Sequence, residues 1–131
     1  MKKDIEIPIA KDVYVAIVNE WNKEFLSKDW NAYIINNRKT IITMALVVSK
    51  GYDGERKTST MRYAFGEIPA KGFEKIEIIQ EDVLTLNNEF YVTYYADNVL
   101  YEKRFLFEKN SVNESKLVNI PLLDMDGVFA K

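Results

Sequence analysis

The residue types that most often carry catalysis or hold metals are missing from this sequence. Its 131 residues include no histidine and no cysteine. Their absence removes the commonest zinc ligands, the usual general base at neutral pH, and every Ser-His or Cys-His nucleophilic arrangement. Any catalysis would have to use carboxylate, tyrosine and lysine groups only.

Paired carboxylates are the remaining arrangement that would support hydrolysis. The candidates in the middle of the chain are Glu67, Glu77, Glu81 and Asp82. Glycoside hydrolysis needs two carboxyl groups at a defined separation across a cleft, and sequence spacing does not determine that separation. We therefore assign no catalytic residue and expect no cofactor.

Two short acidic loops resemble cation sites only superficially. In the segment 124–127, Asp-Met-Asp-Gly, the glycine stands at the fourth position, whereas a calcium-binding EF-hand loop needs it at the sixth. Asp53 and Glu55 flank Gly54 in a second loop. Acidic residues beside glycine are typical of solvated turns, so we predict turns and no metal at both places.

The charge distribution argues against nucleic acid and anionic membrane as partners. The net charge is −2, from 18 basic and 20 acidic residues spread along the chain. The densest basic stripe consists of Arg56, Lys57, Arg62, Lys71 and Lys75, and glutamates interleave with it. No run of apolar residues approaches membrane-spanning length, and the N-terminal segment lacks an apolar signal core. We expect a cytoplasmic protein.

Composition favours one globular domain rich in strands. Residues 1–131 are the size of a single domain that can bury a core without disulfides. Hydrophobic residues make up 47% of the chain and aromatic residues 13%, and aromatic residues favour strands. We predict that residues 1–131 form one β domain.

The segment 30–54 predicts a hairpin. Two apolar runs, Trp30 to Ile35 and Ile41 to Val48, are separated by a polar stretch. The alternation in the second run predicts that Ile42, Met44, Leu46 and Val48 share the buried face, with Thr43, Ala45 and Ser49 opposite. Before this hairpin, residues 13–18 are apolar on both faces and predict a central strand. For residues 20–29 we favour an irregular crossover over a helical turn.

The clearest feature is a second hairpin. Phe90 to Ala96 and Val99 to Phe107 flank Asp97-Asn98, residues that tolerate the positive φ of a two-residue turn. In that register Tyr94 faces Tyr101, and Phe90 faces Phe105, so aromatic pairs share one face. Lys103 interrupts this face, which indicates either the margin of the sheet or a bulge.

The other segments extend the strand pattern. An edge or terminal strand is predicted at 5–9, and a last strand within 117–129 that ends in an exposed Asp-Gly turn. Alternating strands are predicted at 60–65, with Met61, Tyr63 and Phe65 on one face, and at 73–79, with Ile76 and Ile78 set against Lys75 and Glu77. A short helical turn is predicted at 81–86. Many short strands without a long helical pattern predict two packed antiparallel sheets, an immunoglobulin-like sandwich. A curved sheet with one or two short helices is the alternative.

The outward face of the second hairpin is the candidate partner-binding surface. It carries Tyr91, Tyr95 and Arg104, residue types that concentrate binding energy in interfaces. We predict that these three residues contact another protein or a second copy of the chain. The alternatives are that another segment of the same chain, such as residues 21–26, covers this face, or that the tyrosines are ordinary sheet formers.

The stretch WNAYIINNRKTIITMALVVSKGYDGERKTSTMRYAFGEIPAKGFEKIEIIQEDVLTLNNEF resembles a small family of uncharacterised proteins from Bacteroidetes. Some members of that family are labelled phenylalanyl-tRNA synthetase alpha subunit. A synthetase catalytic domain needs a much larger chain and arginines that grip ATP, and no such set can be matched here. The resemblance implies a cytoplasmic single domain and transfers no site residues.

Two hypotheses from different classes follow. The first is a non-catalytic protein-interaction or structural module that binds through a sheet face or edge. The second is a small-ligand-binding protein or an enzyme that uses carboxylate, tyrosine and lysine groups. A deep pocket with converging polar groups would favour the second, and shallow faces with a paired edge would favour the first.

Overall fold

The chain forms two antiparallel five-stranded sheets. In the computed structural model, which describes residues 7–130, the first sheet has the order β6-β2-β1-β10-β9, and the second has β4-β3-β7-β8 with β5 also paired to β3. The strands are β1 Val13–Asn22, β2 Ser27–Asn36, β3 Ile42–Asp53, β4 Arg56–Lys57, β5 Met61–Ile68, β6 Phe73–Ile79, β7 Asn87–Ala96, β8 Val99–Phe107, β9 Val118–Ile120 and β10 Met125–Phe129. The predicted all-β, two-sheet architecture is confirmed, and its immunoglobulin-like character stays a prediction.

Strand β1 is central and is covered on both sides, as its uninterrupted apolar sequence predicts. Val15 and Ile17 point into the main core between the sheets. Ala16 and Val18 point the other way, into a smaller cluster on the outer side of the first sheet. That cluster also contains Tyr33, Ile35, Ile120 and Leu123. The run is apolar on both faces because each face of β1 packs into a hydrophobic cluster.

The crossover predicted at residues 20–29 is wrong, because these residues close a β1–β2 hairpin. The ladder continues to the pair Asn22 and Ser27. The side-chain oxygen of Asn22 accepts hydrogen bonds from the backbone N–H of Glu24 at 2.9 Å and of Phe25 at 3.3 Å. An asparagine side chain that accepts from the backbone of the second and third residues after it is itself a turn-forming device.

The hairpin predicted over 30–54 is also wrong, because its two strands belong to different sheets. Strand β2 pairs with β1 and β6, and β3 pairs with β5 and β7. The link between them passes from one sheet to the other beside Asn36, which is fully buried. Its side-chain amide lies 3.0 Å from the carbonyl oxygen of Thr40 and 3.1 Å from that of Ile68. A local sequence pattern cannot distinguish this link from a hairpin loop.

The buried face of β3 differs from the predicted one because the strand contains a β-bulge. Relative to β7, the register shifts between Thr43 and Leu46, and Met44 has a φ of 50°. The extra residue reverses the alternation beyond it. Ala45, Val47 and Ser49 are therefore buried, whereas Met44 and Leu46 are exposed.

The edge strands β5 and β6 follow their predicted alternation in part. Tyr63 and Phe65 stack at 6.4 Å between ring centroids and pack on the core, as predicted, but Met61 is exposed. In β6, Ile76 is buried and Ile78 is exposed, although they were predicted to share a face. A register shift against β2 at Ala32 and Tyr33 causes this difference.

The hairpin of β7 and β8 has the predicted register. Tyr94 is paired with Tyr101, and their rings stack at 5.3 Å. Asp97 and Asn98 both have positive φ, 52° and 64°, as a two-residue turn requires. The ladder has no register shift, and β8 ends the strand order, so Lys103 lies at the sheet margin.

The chain ends differ from the pattern in two ways. Residues 121–124 form the last turn, and Asp126 and Gly127 lie inside β10, so the predicted exposed Asp-Gly turn is wrong. A Cβ at Gly127 would lie 2.6 Å from the carbonyl oxygen of Ile17, so glycine is required by the close approach of β1. The strand predicted at 5–9 lies partly outside the described residues, and Ile9 forms a parallel bridge with Glu102.

The helical content is small. The turn predicted at 81–86 is confirmed as a three-residue 3₁₀ helix, Val83–Thr85, and a second one covers Glu114–Lys116. Within residues 7–130, no helix has the length and apolar character needed to cross a membrane.

Phe105 provides a direct test of which face of the β7–β8 hairpin is buried. Its side chain is almost fully buried in the main core. We expect Phe105→Ala to lower the free energy of unfolding by about 3–5 kcal/mol, measured by denaturant melts, because the cavity adds to the lost burial. The matched control is Phe25→Ala, since Phe25 is 74% exposed. A loss below about 1 kcal/mol for Phe105→Ala would contradict the face assignment.

Candidate functional site

The side of the second sheet that faces away from the core is the first candidate site, and we call it the outer face. Residues that alternate with the core residues of β3, β7 and β8 form it. They are Leu46, Val48, Lys50, Tyr52, Glu89, Tyr91, Thr93, Tyr95, Leu100, Glu102, Arg104 and Leu106. The structure therefore brings Tyr91, Tyr95 and Arg104 together on one face, as the sequence predicts. Their contact with a partner stays a prediction.

One end of the outer face is a polar cluster around Glu89. The Arg104 Nε lies 2.5 Å from the Glu89 Oε1, and the Arg104 Nη2 donates to the Tyr52 hydroxyl at 2.9 Å. Lys50 forms a weaker ion pair with the same carboxylate at 3.6 Å. The hydrogen bond to Glu89 raises the pKa of Arg104. Arg104 is thus held by its own sheet and is not a free cation.

The middle of the outer face holds Tyr91 in a fixed position. Its hydroxyl donates a hydrogen bond to the Glu102 carboxylate on the neighbouring strand. This hydrogen bond, together with burial and the negative charge of Glu102, raises the pKa of Tyr91. The ring of Tyr91 is half-buried. Its remaining surface is a rigid part of the face.

The other end of the outer face is apolar and exposed. Tyr95 lies across the ladder from Thr43 and from Leu100. Met44 at the bulge is 65% exposed, Leu46 is 46% exposed and Tyr95 is 37% exposed. We call Met44, Leu46 and Tyr95, which lie on the neighbouring strands β3 and β7, the apolar strip. A contiguous exposed strip of this kind is more informative than single exposed apolar residues.

The segment that was expected to cover this face lies elsewhere. Residues 21–26 form the end of the β1–β2 hairpin in the first sheet. Trp21, Phe25 and Leu26 are each more than half exposed. The alternative that residues 21–26 cover the outer face is therefore wrong.

The second candidate site is a cleft at the open side of the sandwich, between β5 and β6. Its volume is about 520 Å³. Glu77 on β6 is its central polar residue: its Oε1 accepts hydrogen bonds from the Ser49 hydroxyl at 2.8 Å and from the Tyr63 hydroxyl at 2.6 Å. Burial, followed by the hydrogen bond and negative charge of Glu77, raises the pKa of Tyr63 to about 12. Tyr63 is thus a neutral donor at ordinary pH.

A third polar group lies on the outer side of the first sheet. The Glu20 Oε1 accepts hydrogen bonds from Asn31 at 2.9 Å and from the Tyr33 hydroxyl at 2.7 Å. Burial and the contact with Glu20 raise the pKa of Tyr33. The Asn31 side-chain oxygen is buried and has no hydrogen-bond partner. These hydrogen bonds join β1 to β2 within one hairpin.

Asp53 and Asp124, in the two acidic loops, have side-chain partners within the chain. Asp53 is paired with Arg56 at 2.9 Å and with Lys109 at 3.4 Å, and these contacts lower its pKa. Asp124 lies in the 121–124 turn, where its side chain accepts a hydrogen bond from Asn119. Over residues 7–130, no three acidic side chains lie close enough together to hold a metal ion.

Sequence reasoning missed two kinds of residue. Leu46 was predicted to be buried, although Lys50 lies on the same side of β3 and a lysine indicates the solvent side. That signal was present in the sequence. Glu77 was considered as a member of a carboxylate pair, but its nearest polar partners are Ser49 and Tyr63. No sequence signal joins these three residues, because they lie on three different strands.

The pH dependence of stability tests the hydrogen bond between Tyr63 and Glu77. The folded-state pKa of Tyr63, about 12, is above its ordinary value of 10.0. Its contribution to stability is therefore fully present below pH 10 and is lost as the pH rises towards 12. We expect Tyr63→Phe to be less stable than the unchanged protein in denaturant melts, by a difference that is constant up to about pH 10 and shrinks above it. A difference that grows above that pH would contradict this arrangement.

Comparisons with known proteins provide no relative. No family model matches the chain, and neither a curated protein nor a solved structure matches it. The resemblance to a Bacteroidetes family stays a prediction. Functional assignment therefore depends on the geometry of the outer face and the cleft.

Proposed function

We propose that this chain is a non-catalytic protein-interaction module that associates through its outer face. The observation that carries the proposal is the exposed apolar strip of Met44, Leu46 and Tyr95 on a rigid sheet. Burying such a strip against another surface removes apolar area from water, which is the main driving force of association. Side chains fixed by a sheet lose little entropy on binding.

The arrangement of the outer face matches the anatomy of protein interfaces. A typical interface has an apolar centre with aromatic residues and a polar rim. Here Tyr95 and Leu46 would occupy the centre, and the cluster around Glu89 would lie at the rim. Arg104 and Tyr91 add the residue types that are enriched at energetic hot spots.

The charge balance of the face favours a second copy of the chain as partner. Lys50 and Arg104 are matched by Glu89 and Glu102, so two copies of the face do not repel each other through net charge. A twofold axis near Tyr95 would place the apolar strip of each copy on that of the other. Such isologous pairing is the commonest symmetry of homodimers.

Replacing the strip by small polar residues tests this proposal. We expect the double variant Leu46→Ser/Tyr95→Ser to abolish self-association, because it removes most of the apolar centre. Sedimentation velocity of the pure protein over a range of concentrations measures this. Both side chains are partly exposed, so we expect the unfolding midpoint of the variant to stay close to that of the unchanged protein.

The matched control changes apolar residues that are more exposed and lie in the β1–β2 turn and in β9. Leu26→Ser/Val118→Ser removes two such side chains from outside the outer face. We expect this control to associate like the unchanged protein. Purely monomeric behaviour of the unchanged protein, or equal weakening by both double variants, would overturn pairing through the outer face.

A further inference from the structure

The cleft between β5 and β6 has the size and lining of a small-molecule site. Its volume of about 520 Å³ is within the usual range of roughly 300–1,000 Å³ for ligand pockets. Buried core residues, among them Ile76, Ile79 and Phe90, reach its inner wall. Met61, an exposed apolar residue on the same side of β5 as Tyr63, lines its outer part. The cleft therefore has an apolar wall that extends from the core to the protein surface.

The polar groups of this cleft converge on one carboxylate. Ser49, which is 3% exposed, and Tyr63 both donate to the Oε1 of Glu77. These two hydrogen bonds fix the orientation of the carboxylate and leave its Oε2 without a hydrogen bond from the described chain. Because both donors are neutral, they do not cancel the negative charge.

Glu77 has no cationic partner among the described residues. None of the lysines and arginines within residues 7–130 forms an ion pair with it. Lys50, the lysine that lines the cleft, pairs instead with Glu89 on the outer face. A half-buried carboxylate in an apolar wall is stabilised when a cation lies beside it. Charge complementarity therefore selects a positively charged ligand.

We propose that this cleft binds a small organic cation that has an ammonium head and an apolar body. The ammonium group would contact the free Oε2 of Glu77, and the apolar body would lie against Met61, Ile79 and Val83. The Tyr63 ring is close to Glu77 and adds a face on which a cation is attracted. This site does not depend on the outer face, so each can fail without the other.

Three probes of equal chain length test the proposal: octylammonium, octanol and octanoate. They share an apolar body and differ in the charge of the head group. Titration of the full chain, followed by backbone amide NMR shifts, measures affinity and location. We expect saturable binding of octylammonium with shifts at Ser49 and along β6, weaker binding of octanol and none of octanoate.

Glu77→Gln removes the charge and keeps an oxygen that accepts the hydrogen bonds of Ser49 and Tyr63. We expect the affinity for octylammonium to fall at least about tenfold, which is the scale of a charge-assisted contact. The matched control is Glu74→Gln on the same strand, because Glu74 is exposed and does not line the cleft. This control should bind octylammonium with unchanged affinity.

A second variant keeps the test decisive if Glu77→Gln folds poorly. Met61→Lys places a resident ammonium group at an exposed position of the cleft, on the same side of β5 as Tyr63, where it should compete with the ligand. Val118→Lys, at an exposed position of β9, is its control. Equal binding of the three probes, an absence of saturable binding, or full affinity in both cleft variants would overturn the proposal. In those cases Glu77 serves only as an inward-pointing charge that protects an edge strand from pairing.

Discussion

The residue alternation of strand β3 is the constraint on which both candidate sites depend. This strand lies between β5 and β7 and has one side chain in two facing the core. The bulge at Met44, where φ is positive, determines which set of side chains is inward for the rest of the strand. It places Ser49 in the cleft and Leu46 on the outer face. A strand without this extra residue would exchange the two sets and lose both sites.

The two sheets differ in what covers the side that faces away from the main core. The first sheet covers much of its outer side with its own small cluster, built from Tyr33, Ile35, Ile120 and Leu123. The second sheet leaves an apolar strip at one end of its outer face. Along the rest of the face, Tyr52 and Tyr91 form hydrogen bonds with charged residues, and Arg104 forms an ion pair with Glu89. A surface that is ordered by internal hydrogen bonds and still exposes apolar area is suited to binding another surface.

The sequence predicts those parts of the fold that are determined by local chemistry. The β7–β8 hairpin follows from Asp97-Asn98 and from aromatic pairing, so its register and the outward position of Tyr91, Tyr95 and Arg104 were predictable. The position of β2 and β3 in separate sheets was not predictable. A polar link of this kind can join the two strands of a hairpin or can pass from one sheet to the other. The bulge at Met44 was equally hidden, since methionine has no preference for positive φ. The cleft residues come from three strands, so only the tertiary fold brings them together.

Cysteine labelling tests the central claim most directly, namely that β3 presents Leu46 to a partner and Val47 to the core. The chain has no cysteine, so single variants Leu46→Cys and Val47→Cys each carry one reactive thiol. We expect a thiol reagent to modify the Leu46→Cys protein quickly in dilute solution, more slowly as the protein concentration rises and the outer faces pair, and to modify the buried Val47→Cys thiol only on unfolding. Fast labelling of Val47→Cys would contradict the alternation of β3, and labelling of Leu46→Cys that is independent of protein concentration would contradict association through the outer face.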